Sequence, residues 1–338
     1  MSTHIFSLLE AQGGVASCHQ LIEVGHSRRT IEALVRRGEL VRVRQDAVVL
    51  ATVLRTATPW ERQTLTARAV GASMAPAPGP PTAGRAAGKE YALSHESALM
   101  IHGLPHYGGD GMVHLVRTDG GRGRRDRAVW VHRPVENRWV VEVEGLRVVT
   151  PSLAALQVAA THGHEAGLVA VDGVLHRAEV QDHEEVGRRN GPAVATVRAE
   201  FGALIGTGFG PGTSTAALVA ELGDGRSESA GESRSRWLVR TLGLGPCTPQ
   251  FSVYDGPDLV GVADLKLDRW RVLIEFDGTG KYTGPDSLLA EKDREDRIRA
   301  LGYEVVRLRW SDLARPHLVR QKLLAAIARA EARAATPA

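Results

Sequence analysis

The stretch GVADLKLDRWRVLIEFDGTGKY, Gly261 to Tyr282, decides how the chain is read. Val262, Ala263, Leu265 and Leu267 are apolar on both parities. That pattern predicts a central strand covered on both faces. Asp264 interrupts it. Val272, Leu273 and Ile274 form a second buried run, and Glu275 stands at its end. An ionised carboxylate in such a place is costly unless something compensates it. Two neighbouring antiparallel strands would bring Asp264 and Glu275 to one side, within a few ångströms, where they repel. A divalent cation removes the repulsion. Mg²⁺ (or Mn²⁺) takes one or two carboxylates together with waters and substrate phosphate, so the pair is the expected metal site.

Three further residues surround the pair. Asp277 is either a turn residue before Gly278 or an auxiliary ligand. Lys281 is either a solvated loop lysine or a cation beside a scissile phosphate. Glu232 lies on the helix that opens this unit, four residues before Arg236. It is spaced for a helical ion pair and equally available to complete the carboxylate cluster.

Outward from this stretch the last unit, residues 228–338, has the order α-β-β-β-α-β-α. Its helices are ESRSRWLVRTLG, SLLAEKDREDRIRALG (with Asp286 as cap) and HLVRQKLLAAIARAEARA; its last strand is YEVVRLRW. On the second helix Asp293/Arg297, Lys292/Asp296 and Glu295/Arg299 are spaced as surface pairs, while Arg294 and Arg297 are alternative phosphate contacts.

At the other end, residues 1–56 read as three helices followed by a hairpin, the order of a winged helix-turn-helix. Ser17 with Gln20 is a capping-box pattern, and Ser27 is the expected cap of the third helix. That helix carries Arg28, Arg29, Arg36 and Arg37 against one acid, Glu32, and Arg42 and Arg44 follow in the strand LVRVR. AVVLATVL is read as the second strand. The arginines are expected to bind DNA, the helical ones near base edges and those of the wing at phosphates. The plainer reading is a solvated basic face.

Between these ends, residues 57–210 read as an α+β region with a flexible Pro/Gly/Ala-rich loop at 71–90, and residues 211–227 read as a polar linker. The whole is α/β in class (α+β overall): winged helix, α+β middle, and a C-terminal mixed sheet flanked by helices.

Composition narrows the function classes. With 42 Lys+Arg against 39 Asp+Glu the net charge is +3, which permits nucleic-acid binding without arguing for it. Two cysteines far apart exclude a disulfide framework and a paired-cysteine zinc site, and a cytoplasmic setting is expected. MSTHIFSLLEAQGG has neither a basic n-region nor a long apolar run, so no signal peptide is expected. The most apolar long stretch is broken by His162, His164, Glu165 and Asp172, too polar to cross a bilayer. The 13 histidines are scattered, and the one candidate metal pattern, HGH at His162–His164, reads as loop rather than as a metal site.

The segments ADLKL, RVLIEFDGTGKY and AEKDREDRIRALGYEVVRLRW, with SAGESRSRW upstream, resemble the very-short-patch-repair-like branch of the PD-(D/E)XK nuclease fold. The N-terminal winged helix, followed by LSHESALMIHGL and VTPSLAALQVA, resembles the AbiEi-type antitoxin family of type IV toxin–antitoxin systems. The first resemblance implies a restriction-endonuclease-like domain that cleaves double-stranded DNA with Mg²⁺ or Mn²⁺. Asp264 and Glu275 would hold the metal, Asp277 and Lys281 would line the pocket, and Glu232 would support it. The lysine of the E-x-K signature falls at position 277, where this chain has Asp277, so Lys281 would supply the amine from a shifted position. The second resemblance implies an antitoxin or transcriptional regulator with a cognate toxin or a homodimer partner, the nuclease fold then serving as a binding module. A third alternative is a repair-type nicking enzyme.

Overall fold

The computed structural model describes residues 2–74, 90–187, 189–278 and 285–335. They divide into two units, residues 1–162 with 206–209, and residues 163–205 with 210–338. The class is mixed α/β, as expected from the pattern. Among the described residues no helix is long and apolar enough to cross a membrane.

The first unit begins α1 (Ser2–Ala11), β1 (Val15–Ser17), α2 (Cys18–Glu23), α3 (Arg28–Arg36), β2 (Leu40–Arg44) and β3 (Ala47–Leu50). The strands form an antiparallel sheet in the order β1-β3-β2. Both expected caps are present. Ser17 Oγ accepts from the Gln20 amide at 3.0 Å while Gln20 Oε1 accepts from the Ser17 amide at 2.8 Å. Ser27 Oγ accepts from the Thr30 amide at 3.1 Å. Such caps satisfy backbone donors that a helix start leaves open. Ile31 and Leu34 turn α3 onto Ile5, Leu9 and Leu21 of the core, so its arginines face outward. AVVLATVL is not one strand. Pairing ends at Leu50, and Ala51–Thr56 coil into α4, which lets Val53 pack against the core.

After α5 (Pro59–Met74) come β4 (Tyr91–Leu93), α6 (His95–Ile101), β5 (Val113–Arg117), β6 (Arg124–Arg125), β7 (Val129–His132), β8 (Val140–Val143), β9 (Leu146–Val149) and α7 (Pro151–His162). The six strands form one sheet in the order β6-β7-β5-β4-β9-β8, and α6 packs on α7. The expected loop at 71–90 is helical through Met74, and residues 75–89 lie outside the described residues.

The second unit opens with α8 (His164–Val186), α9 (Pro192–Thr207) and α10 (Thr213–Leu222). The segment read as a linker, 211–227, therefore holds a packed helix: Ala216, Val219 and Ala220 are buried and α10 lies on α8. The turn after α10 is pinned too, because the buried Asp172 of α8 accepts from the Asp224 amide at 2.9 Å.

Then come α11 (Ala230–Thr241), β10 (Cys247–Asp255), β11 (Asp258–Leu267), β12 (Val272–Phe276), α12 (Pro285–Ala300), β13 (Glu304–Leu308), α13 (Trp310–Leu313) and α14 (Pro316–Ala335). The sheet order is β10-β11-β12-β13, with the first two pairings antiparallel and the last parallel. As expected, β11 is central, but Val262 in its middle is exposed, so the strand is not covered on both faces along its length. One face of the sheet buries Leu265, Leu267, Ile274 and Phe276 against α11 and α14. The other buries Ala263 and Leu273 with Ile298 of α12.

Helix α11 reaches this sheet through a glycine. A Cβ at Gly231 would lie 2.0 Å from Phe276 Cε1, whereas one at Gly202 of α9 would meet nothing within 4 Å. Gly231→Ala is expected to lower stability by about 1–3 kcal/mol through overpacking. Gly202→Ala is expected to raise it by about 0.5–1 kcal/mol through helix propensity. Urea unfolding of both variants checks this pair of opposite signs.

Candidate active site

Glu275 and Asp264 owe their positions to strand register. Leu267 pairs with Val272 and Leu265 with Ile274, where the pairing ends, and Asp264 and Glu275 are the next residues on the two strands. On the next strand Glu275 pairs with Arg307. On the other side, Pro249 pairs with Leu265 and Phe251 with Ala263, which puts Gln250 opposite Asp264. Gln250, Asp264, Glu275 and Arg307 thus form one row across four strands.

The row is irregular at Asp264. Ala263 packs on the α12 side while Leu265 packs on the α11 and α14 side, although the two share a parity. The alternation of β11 therefore breaks at Asp264, and Gln250 across from it adopts φ +48°. At this break the Asp264 carboxylate turns onto the neighbouring strand, where Oδ2 accepts from the Phe276 amide at 2.6 Å. Glu275 lies on the α12 face. Arg294 Nη2 donates to its Oε1 at 2.7 Å, and Arg307 Nε stands 3.6 Å from its Oε2. Arg307 also bonds Glu295 at 2.8 Å, and Glu295 bonds Arg299 in the expected i,i+4 pair. The strand register leaves Asp264 and Glu275 on adjacent strands, Asp264 bonded to the Phe276 amide and Glu275 to Arg294, with Arg307 beside it.

The other expected site residues are placed differently. Asp277 follows β12, its amide bonded to Leu308 O at 2.8 Å and its carboxylate 3.3 Å from Arg309 Nε. Glu232 is buried at the start of α11. Its carboxylate accepts from the Glu228 amide at 3.0 Å, from Ser229 Oγ at 2.8 Å and from Gln250 Nε2 at 3.0 Å. It is linked through Gln250 to the row, and it does not pair with Arg236. Arg236 is drawn instead to Asp172, which it grips through both oxygens at 2.6 and 2.7 Å. Burial pushes the Asp172 carboxyl up, and the guanidinium works against that shift. Lys281 and the Asp286 side chain lie outside the described residues.

The six arginines of the N-terminal region divide into two sets. Arg28, Arg29 and Arg36 are exposed on α3, and among the described residues none has a hydrogen bond or ion pair. Arg37 bonds Glu39 at 2.5 Å. Arg42 folds back onto Gln45 O at 2.5 Å and Cys18 Sγ at 3.4 Å, and Arg44 stands 3.9 Å from Asp126. Arg28, Arg42 and Arg44 border one cleft of about 630 Å³.

A second constellation has no counterpart among the sequence patterns. His95 and Glu96 on α6, His114 on β5, His132 on β7 and His162 at the end of α7 meet in the middle of the first unit, with Asp110 beside them. His162 is therefore no loop residue. It is the last residue of α7, and only Gly163, at φ +90°, separates it from α8. Glu96 and His114 are almost wholly buried. Burial and the neighbouring His114 hold His132 down to about 3, and burial likewise lowers His95 far below the usual histidine range. Burial works against the charged form of His114, but Glu96 and Asp110 outweigh it and raise its pKa. Glu96 is held well below the usual carboxylate range because His114 and His162 outweigh its own desolvation.

No family model matches the chain. Two uncharacterized proteins of Mycobacterium tuberculosis are similar to it, MT2308 of strain CDC 1551 / Oshkosh and Rv2248 of strain ATCC 25618 / H37Rv. Each is 25% identical over 208 residues, which cover 60% of this chain and 69% of the relative.

Proposed function

We propose that the chain is a DNA-binding protein whose last unit is a metal-dependent endonuclease-like domain acting on phosphodiester bonds of double-stranded DNA. The observation that carries this reading is the register that leaves Asp264 and Glu275 one step beyond the paired Leu265 and Ile274, at a break in a buried strand. The order helix, three strands, helix, strand around a mixed sheet is also the one that the very-short-patch-repair-like resemblance implies.

The donors fit a hard cation, since each strand contributes one carboxylate and the Phe276 amide fixes the aim of Asp264. Asp264 and Glu275 would hold Mg²⁺ or Mn²⁺, which when bound supplies charge stabilisation for hydrolysis. Arg294 and Arg307 brace Glu275 and offer cationic donors to a DNA phosphate. Glu232 acts through Gln250 as a positioning residue. Asp277 holds Arg309 at the same end of the sheet. Lys281 is proposed as the amine beside the phosphate. Arg28, Arg29 and Arg36 are the proposed DNA contacts of the first unit, with Arg37, Arg42 and Arg44 as auxiliary ones. The order α1-β1-α2-α3-β2-β3 supports a winged helix there. A cytoplasmic role in defence against phage or mobile elements is part of the same proposal.

One observation favours the second reading, an AbiEi-like antitoxin or regulator with a cognate toxin or a homodimer partner. Glu275 is already compensated by two arginines, so its burial is explained without a cation.

Supercoiled plasmid incubated with the full chain and Mg²⁺ or Mn²⁺ separates the two readings. The nuclease reading predicts nicked or linear product, reduced by roughly 100-fold or more in Asp264→Ala and Glu275→Ala. Intact plasmid with the wild type across varied DNA substrates would leave the regulator. For the first unit, Arg28→Ala with Arg29→Ala is expected to weaken DNA binding and lower the salt slope by about one per lost phosphate contact. An unchanged slope in a salt titration would remove α3 as the DNA-binding element.

A further inference from the structure

We propose that Glu96, His114 and His162 form a site for a divalent transition metal of the zinc class, with Asp110 beside His114. The donor atoms of Glu96, His114 and His162 lie within 4.8 Å of one another. The site lies wholly in the first unit and is independent of the nuclease reading.

One nitrogen is over-subscribed. Asp110 Oδ1 lies 3.0 Å from His114 Nε2, and Glu96 Oε1 lies 3.1 Å from the same atom. A ring nitrogen carries one hydrogen at most, so it cannot serve two carboxylate oxygens equally. Glu96 Oε1 is the loser, a buried carboxylate oxygen without a well-formed hydrogen bond. Its other oxygen lies 3.2 Å from His162 Nε2. His114 Nε2 therefore stands 3.0 Å from Asp110 Oδ1 and 3.1 Å from Glu96 Oε1, and His162 Nε2 stands 3.2 Å from the other Glu96 oxygen. Tetrahedral ligands at zinc distances stand about 3.3–3.5 Å apart, so the two Glu96–histidine separations are close to what the ion requires.

The surroundings support ligation by His114 Nε2. Its other nitrogen, Nδ1, stands 2.8 Å from His132 Nε2. With His132 as acceptor, the Nδ1–H is engaged and the Nε2 lone pair points at the carboxylates. This is how a second ring nitrogen commonly orients a metal-binding histidine. His95 stacks on His132 with ring centroids 3.8 Å apart, and His95 Nδ1 is 3.0 Å from Ser94 Oγ. Gly109 closes the other side, where a Cβ would come within 3.0 Å of Glu96 Oε1. The alternative trio, His95 with His114 and His132, fits less well, because 2.8 Å between His114 and His132 is too short for two donors on one tetrahedral ion.

Donor chemistry selects the metal. Two imidazoles and a carboxylate suit zinc and its first-row neighbours, whereas Asp264 and Glu275 offer only the oxygen donors that suit Mg²⁺. The side chains of Asp110 and His162, 27% and 12% exposed, mark the route of entry. Once loaded, the site would tie α6, α7 and β5 together.

The test is metal analysis of the purified full chain, followed by chelation and titration with Zn²⁺ and with Co²⁺ as an absorbing stand-in. One equivalent of zinc per chain, tetrahedral Co²⁺ bands, and a rise in melting temperature on adding Zn²⁺ to the stripped protein are expected. His162→Ala should abolish all three, and Asp110→Asn, at the carboxylate beside His114 Nε2, should weaken affinity by tenfold or more with the far-UV circular dichroism unchanged. Asp264→Ala should leave them intact. A stripped protein that neither binds Co²⁺ nor gains stability from Zn²⁺ would overturn the site and leave a network held by protons alone. Binding unaffected by His162→Ala and Asp110→Asn would overturn it as well.

Discussion

Everything in the last unit depends on how Glu275 is compensated. Val272, Leu273 and Ile274 before it are fully buried, and Phe276 after it nearly so. A carboxylate inserted in such a strand survives only with partners. Stranding one by removing its partner costs on the order of 3–5 kcal/mol. Parallel pairing with β13 puts Arg307 beside it, and α12 crosses the same face to deliver Arg294. The strand order and the placement of α12 are thereby coupled to one charge. Asp264 meets the same constraint in another way. It breaks the alternation of β11 and borrows the Phe276 amide.

The first unit solves a similar problem with histidines. Glu96 is buried, and its nearest partners are imidazoles rather than guanidinium groups. The choice has a chemical consequence. Arginine stays charged and never ligates a metal, so Glu275 has a fixed electrostatic partner. Imidazole is a metal ligand, so the surroundings of Glu96 suit a borderline cation. The two clusters thus differ in the donors they offer.

Much of the fold is legible along the chain, and the limits are physical. Local signals read well: the Ser17–Gln20 capping box, the Ser27 cap, the apolar face of α3, and the two core strands carrying Asp264 and Glu275. Helix α10 is hidden because its buried face is mostly alanine, in Ala216 and Ala220, and glycine-rich flanks suggest a linker. Glu232 and Arg236 have the spacing of a helical pair, but a buried Asp172 with two oxygens to offer outcompetes a local partner. The histidine cluster carries no periodic signal. Glu96 and His162 stand 66 positions apart, and only the packing of α6 on α7 unites them. The arginine partners of Glu275 escape a linear reading for the same reason, since register across β12 and β13 is a tertiary fact.

Whether Asp264 and Glu275 share a hard divalent cation is tested most directly by electron paramagnetic resonance of Mn²⁺ titrated into the full chain, with and without duplex DNA. The predicted result is a bound Mn²⁺ that tightens with DNA and disappears in both Asp264→Asn and Glu275→Gln. Mn²⁺ binding identical in the wild type and both variants, or none at all with DNA present, would contradict the shared site.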